Sequence, residues 1–514
     1  MDCGGGIGPH AGPVFCTGFP RRIGMDCFGA AFRRAVVFDS MGTPRMAPAA
    51  GTRRPCGNSL FCRHSALVVD GYRARVVYPA LWAAFTGWIA PRAPAGSMDP
   101  GWMLSRPNLV ACALSASAWV GLEWLRGYVF TGFAWNSLGV ALHENLPIIQ
   151  IADMTGVGGI SFLLVFVNGI AATTFFRLRE EILRRKMRAH LDFSFAVILV
   201  ALAFGYGVRK IFQAPPESRP LTFAAVQANI PILEKRDPAY EQEILNIHER
   251  LSQAALAMKP DLLVWPEAAT PHPLFLHQPS WDTVRRIAEG FDGDFLLGTV
   301  HYEERGDFNS AVLLTGQGQD ALIYHKMHLV PFGEFVPFRE SFPVFAWLVG
   351  DLVPEDFDFG PSPEILEMKA VPVKIGALIC FEDTLAYMAR KFAAGGAQIL
   401  VTLTNDAWFL QSAGSEQHRA NAIFRAIETR LPLLRVANTG VTCLVDPLGR
   451  EVQRLEEEDG NTFFAGFLTG TVQVPLKPVP TFHTLNGELF SYACIGFALA
   501  GALIRLRKTL IQPD

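Results

Sequence analysis

Two apolar runs, residues 157–176 and 191–208, enclose the stretch Arg177-Leu-Arg-Glu-Glu-Ile-Leu-Arg-Arg-Lys-Met-Arg188, which carries six basic residues. About 20 apolar residues are needed for a helix to cross a bilayer. One run reaches that length and the other nearly does, so the chain is restricted to folds with membrane-spanning helices. Three shorter apolar blocks, 76–90, 108–122 and 489–504, need flanking residues to complete a span. Composition agrees. Only 18% of the 514 residues are charged, against roughly a quarter in soluble domains, and the mean hydropathy is positive.

Charge sets the orientation. Short Lys/Arg-rich connections stay on the cytoplasmic side. With 177–188 inside, the run at 191–208 leads outward, and residues 209 to 488 lie outside the cytoplasm. The last block then returns to Arg505-Leu-Arg-Lys508, again basic. Residues 1–65 show neither helical nor strand periodicity and read as a disordered tail or a wrongly assigned start. Residues 66–210 read as transmembrane helices and 486–508 as a C-terminal one.

Residues 220–475 have another texture, with short apolar strands alternating with amphipathic helical stretches. Residues 221–227, 262–264, 295–299, 311–315, 375–379 and 399–403 read as strands; 238–259 and 417–429 read as helices. This is an α/β pattern of domain size. A net charge of -3 argues against a nucleic-acid partner. Nine cysteines include no CxxC pair, and the histidines form no HExxH pattern, so neither a disulfide framework nor a metal site is expected. His325, His328 and His418 read as structural or substrate-facing.

Three apolar runs end in a reactive side chain. Lys374-Ile-Gly-Ala-Leu-Ile-Cys-Phe-Glu-Asp383 delivers Cys380, Asp261-Leu-Leu-Val-Trp-Pro-Glu267 delivers Glu267, and Leu322-Ile-Tyr-His-Lys326 delivers Lys326. Strand ends are where loops build active sites. A thiol with an ordinary pKa is mostly protonated at neutral pH. A carboxylate can take its proton, and an ammonium can stabilise the thiolate and an oxyanion. Any one of these residues alone reads equally well as packing or a solvated rim charge.

Trp265-Pro-Glu267, His325-Lys326 and Ile379-Cys380-Phe-Glu382 resemble the Glu-Lys-Cys signature of the nitrilase superfamily. That resemblance implies an α/β fold, a nitrilase-like α-β-β-α sandwich, here inserted between transmembrane α-helices. Tyr324-His-Lys-Met-His-Leu-Val-Pro-Phe-Gly-Glu-Phe-Val-Pro337 is narrower and resembles the apolipoprotein N-acyltransferases. So do Thr404-Asn-Asp-Ala-Trp-Phe409, Glu416-Gln-His418 and Arg435-Val-Ala-Asn-Thr-Gly440, and, in the membrane part, Trp119-Val-Gly-Leu-Glu-Trp-Leu-Arg126 and Thr131-Gly-Phe-Ala-Trp-Asn136.

The resemblance implies Glu267 as base, Lys326 as oxyanion stabiliser and Cys380 as nucleophile. Glu334, Phe381 and Glu382 are implied as auxiliary or substrate-binding residues. It implies a bacterial inner-membrane enzyme, monomeric and without cofactor, its catalytic domain in the periplasm. The enzyme moves an acyl chain from a phospholipid, phosphatidylethanolamine foremost, to the α-amine of a diacylglyceryl-apolipoprotein. Arg236 stands where the family has tryptophan, and Leu410 where it has glycine. The family also has further membrane helices before the Glu123 region, which 1–65 does not supply. Two other readings stay open: a membrane-tethered nitrilase or amidase acting on small amides, and a decayed, non-catalytic homologue. Six aromatics, Phe332, Phe335, Phe338, Phe342, Phe345 and Trp347, favour a lipid-facing lid or anchor between 331 and 347.

Overall fold

The computed structural model describes residues 109–129, 132–185, 187–235, 237–339 and 356–511. The expectations for residues 1–65, the block at 76–90, Arg236, and Phe342, Phe345 and Trp347 lie outside the described residues.

Two six-stranded sheets form the α/β part. The first holds β1 (Ser218–Gln227), β2 (Leu262–Val264), β3 (Asp294–Glu303), β4 (Gly306–Thr315), β5 (Asp320–His325) and, far along the chain, β12 (Gly466–Pro475), in the order β12-β1-β2-β3-β4-β5. The second holds β6 (Ile365–Glu367), β7 (Lys374–Ile379), β8 (Ile399–Thr404), β9 (Leu433–Ala437), β10 (Cys443–Val445) and β11 (Glu451–Arg454), in the order β11-β10-β9-β8-β7-β6. In each sheet three central strands run parallel and the flanking strands run antiparallel.

Side chains alternate across a strand, and β1 uses both faces. Phe223 and Ala225 join a core with Val264, Leu296, Ala377 and Ile379, which lies between the sheets. Ala224 and Val226 face the other way, with Leu263, Trp265 and Phe295. There α4 (Glu241–Leu256) and α5 (Gln278–Glu289) cover the sheet through Ala255, Val284 and Ile287. The second sheet is covered by α6 (Ala386–Ala394) and α7 (Gly414–Thr429), through Met388, Phe392, Ile423 and Ile427. The result is the expected α-β-β-α sandwich. Strands β7, β8 and β9 are apolar almost throughout because both of their faces are buried.

Four longer helices belong to the apolar part: α1 (Leu109–Arg126), α2 (Ala152–Arg184), α3 (Leu191–Ile211) and α8 (Leu489–Ile511). Among the described residues α2, α3 and α8 are long and apolar enough to cross a membrane. On α3, Phe193, Phe195, Val197, Ile198, Leu202 and Phe204 are exposed, which makes sense only against lipid. Helix α1 packs between α2 and α8. Helix α2 differs from its sequence reading: Arg177 to Arg184 continue the helix instead of forming a loop.

Near its start α2 breaks at Gly156, with φ 62° and ψ -175°. A side chain there would be strained, and its Cβ would lie 2.9 Å from the His483 ring. The helix restarts at Val157, whose N–H donates to Glu428 Oε1 of α7 at 3.1 Å. A carboxylate from the sandwich thus caps a membrane helix. Beside it Arg430 Nη2 reaches Asp153 Oδ2 at 2.8 Å and Nη1 reaches Gln150 Oε1 at 2.6 Å. Lys210 of α3 and Tyr206 meet the same Asp153 carboxylate at 3.2 and 2.7 Å. These contacts fix the sandwich on its helices.

Candidate active site

Cys380 is the first residue beyond β7. Its φ of 51° lies in the left-handed region, a conformation that costs a non-glycine residue roughly 1–3 kcal/mol and persists only where its surroundings hold it. The bend turns the buried strand at once into a 3-10 helix, Cys380–Thr384, and leaves Cys380 9% exposed.

Glu267 follows β2 after Trp265 and Pro266, and Lys326 follows β5 directly; they are 6% and 1% exposed. Lys326 Nζ lies 3.2 Å from Glu267 Oε1 and 2.9 Å from Glu334. Asn309 of β4 duplicates this bridge: its Nδ2 donates to Glu267 Oε1 at 2.9 Å and to Glu334 Oε1 at 2.7 Å. The Lys326 N–H in turn donates to Asn309 O at 2.8 Å. Burial would push the Lys326 amine down, yet Glu334 and Glu267 hold it above its ordinary value, so it stays an ammonium. Burial pushes the Cys380 thiol well up and the Glu267 charge pushes it further; Lys326 and a hydrogen bond with Thr404 pull it back. The resting group is therefore a thiol, with a carboxylate and an ammonium beside it.

Glu382 ties the lysine loop to the cysteine turn. Its Oε1 accepts from Tyr324 Oη at 2.8 Å and from the N–H of Met327 and His328 at 2.8 and 3.1 Å. Its Oε2 accepts from the Ile379 N–H at 2.8 Å. Glu334 Oε2 accepts from the Val330 N–H at 2.7 Å and orders the same loop. Phe381 belongs to an aromatic wall. Its ring lies parallel to Trp135, centroids 6.3 Å apart at 7°, and stacks with Phe133 and His328 at 5.5 and 5.7 Å. Phe133 and Trp135 come from the segment after α1, so the membrane part covers the site directly.

All six residues expected from the sequence therefore meet at one end of the sandwich. Sequence reasoning gave no role to Asn309, Lys235 or Trp135, although Trp135 stands in the Thr131–Asn136 motif. Asn309 sits inside a strand, where no run ends. Trp135 lies in a different part of the chain. Lys235 Nζ donates to Glu267 O at 3.1 Å, and burial lowers its amine to about 8 against the pull of Glu267.

His325 is 2.8 Å from Ser310 Oγ, and His328 Nδ1 is 2.8 Å from Tyr387 Oη. Among the described residues two groups bring three metal-type ligand atoms within 4.8 Å, Glu241/His272/His277 and His301/Glu303/His325. Neither includes Cys380, Glu267 or Lys326.

Comparison with known proteins agrees with this picture. Residues 222–476 match the carbon-nitrogen hydrolase family, and residues 66–170 match the apolipoprotein N-acyltransferase N-terminal domain. An apolipoprotein N-acyltransferase of Geobacter metallireducens is 36% identical over 403 residues, 76% of this chain and 74% of that protein. One of Nitrosomonas europaea is 32% identical, covering 84% of this chain and 81% of its own length. A crystal structure of an amidase from Nesterenkonia sp. is 17% identical over 55% of this chain and 98% of the amidase, with a TM-score of 0.38; the fold rests on the family match and the strand order. The membrane-part match goes against a simple amidase. The chain belongs to the apolipoprotein N-acyltransferase family, an acyltransferase branch of the carbon-nitrogen hydrolases.

Proposed function

We propose that this protein adds the last acyl chain to bacterial lipoproteins, with Glu267, Lys326 and Cys380 as its catalytic triad. The observation that carries the reading is the strained, buried Cys380 thiol beside a charged Glu267–Lys326 pair, under an aromatic wall from the membrane part.

Glu267 takes the thiol proton, and the thiolate attacks an ester carbonyl of a phospholipid. Lys326 faces the tetrahedral oxyanion. As the intermediate collapses, the C–O bond breaks, Glu267 returns its proton to the departing lysophospholipid oxygen, and a thioester remains on Cys380. The α-amine of a diacylglyceryl-cysteine then attacks this thioester. Glu267 accepts the amine proton, the C–S bond breaks, Glu267 returns the proton to the departing Cys380 sulfur, and the amide leaves with the resting thiol restored. Glu334 and Asn309 hold Lys326 and Glu267 in register throughout. Phosphatidylethanolamine is the donor we favour, and a monomer on the periplasmic face of the inner membrane is the form. The exposed apolar surface of α3 supports this, since neither lipid substrate need leave the bilayer.

The test is turnover of phosphatidylethanolamine with a synthetic diacylglyceryl-cysteine peptide. A peptide gaining one acyl chain as an α-amide, with lysophospholipid released in equal amount, supports the reading. Release of free fatty acid with no acylated peptide would make the protein a lipase-like hydrolase instead. In the same assay Phe345→Asp and Trp347→Asp should slow lipid turnover if the 331–347 segment faces lipid; unchanged turnover removes that role.

A further inference from the structure

The turn that carries Cys380 rests on four charged side chains with almost no solvent contact: Asp383, Asp406, His418 and Arg435. His418, on α7, is their hub. Its Nδ1 lies 2.9 Å from Asp406 Oδ1, and its Nε2 lies 2.8 Å from Asp383 Oδ1. The same Nε2 donates to the backbone carbonyl of Cys380 at 3.3 Å. Arg435 of β9 closes the far side, with Nη2 2.9 Å from Asp406 Oδ2 and Nη1 donating to Val441 O. Thr404 Oγ1 also donates to Asp406, at 3.2 Å.

Two carboxylates and one guanidinium balance only if His418 is an imidazolium. An uncompensated charge at this depth costs several kcal/mol. Burial alone would push His418 down, but Asp383 and Asp406 bring it up to about 9. As an imidazolium both its ring nitrogens donate, Nδ1 to Asp406 and Nε2 to the Cys380 carbonyl, while Asp383 stands against Nε2 as an ion pair.

Buried ion clusters are seldom kept for stability, since packed apolar side chains do as well. Here the cluster has a specific client. Cys380 and Asp383 are the start and the near end of one 3-10 turn, and a single nitrogen meets both. The left-handed Cys380 needs such a hold. We propose that His418 is a positioning residue for acyl transfer, clamping the Cys380 carbonyl and Asp383 so that the thiol stays beside Glu267 and Lys326. This rests on Cys380 being the nucleophile. The ring of His418 also lies 5.1 Å from Trp135, so the segment covering the site touches the clamp as well.

The experiment is single-turnover acylation of the full chain in detergent by phosphatidylethanolamine, followed by intact mass. His418→Gln keeps one donor and loses the charge. The double variant His418→Gln/Asp383→Asn restores charge balance and remains informative if the single variant fails to fold. The rate of adduct formation should fall roughly 100-fold, the scale of a misplaced reacting group. The lipid concentration giving half-maximal rate should hardly move in either variant. The single variant melts lower because of its uncompensated buried charge, and the charge-balanced double variant should keep a cooperative melt near that of the wild type. A wild-type rate in either folded variant overturns the proposal. So does a double-variant rate that falls together with lipid affinity and melting temperature, because that is general loss of structure. Cys380→Ala separates the two readings. An adduct surviving in it removes the nucleophile and the clamp together. No adduct there, with a wild-type rate in His418→Gln, removes the clamp alone.

Discussion

Glu382 links the nucleophile turn to the lysine loop, and its ionisation should be visible as pH-dependent stability. Burial pushes its carboxyl from 4.5 to about 7, against the pull of four hydrogen bonds and Lys326. The folded protein then holds this proton to higher pH than the unfolded chain does. The stabilising contribution is complete below about pH 4.5 and is lost as pH rises through about 7. The difference between about 7 and 4.5, at 1.36 kcal/mol per pKa unit, amounts to about 3 kcal/mol. The cost at high pH is the burial of the ionised carboxylate; the four donors and Lys326 favour that form and offset only part of it. Glu382→Gln removes the titration and sets an amide N–H against the Ile379 N–H, a pH-independent loss of about 1–3 kcal/mol. Melting of both proteins in one detergent across pH 4.5–8 cancels every other titrating group. The gap between wild type and variant should close by about 3 kcal/mol as pH rises. With an unfolding entropy of about 2.1 cal/mol/K per residue over 514 residues, that is roughly 3 °C. A flat difference, or one that widens with pH, refutes the reasoning.

Trp135→Ala should cost about 3–5 kcal/mol of stability and slow acylation, since the ring covers both Phe381 and His418; denaturant titration and turnover check this. Leu410 holds φ 51° and ψ -161°, where glycine is at ease. Leu410→Gly should leave the melt unchanged or raise stability by up to about 1 kcal/mol, and the β-branched Leu410→Val should lower it by at least as much. Arg430→Met removes one cation from buried Asp153 and should destabilise by about 3 kcal/mol, read as faster proteolysis of the connection between α3 and β1.

The parts of this protein legible in its sequence are those with a local signal. Cys380, Glu267 and Lys326 each end an apolar run, and a buried strand displays its end at the rim of a sheet. Glu334, Phe381 and Glu382 were reachable only through motif resemblance. What stayed hidden needs long-range pairing. Strand β12 lies beside β1, more than 200 residues away in sequence, and its Gly466, Gly470, Thr469 and Thr471 mute the strand pattern. Asp383, Asp406, His418 and Arg435 come from four separate elements, so their charge balance exists only after folding. The end of α2 was misplaced because hydropathy stops at Phe176 while helix propensity does not: Arg, Leu and Glu are all good helix formers.

The central claim is that acyl transfer passes through Cys380, with Glu267 as base and Lys326 as charge partner. The most direct measurement is the intact mass of the purified protein after incubation with phosphatidylethanolamine and no acceptor, beside Cys380→Ala and Glu267→Gln. The account predicts a single fatty-acyl adduct on the wild type that hydroxylamine removes, no adduct on Cys380→Ala, and formation slowed by orders of magnitude in Glu267→Gln. An adduct that resists hydroxylamine, persists in Cys380→Ala, or forms at the wild-type rate without Glu267 would contradict it.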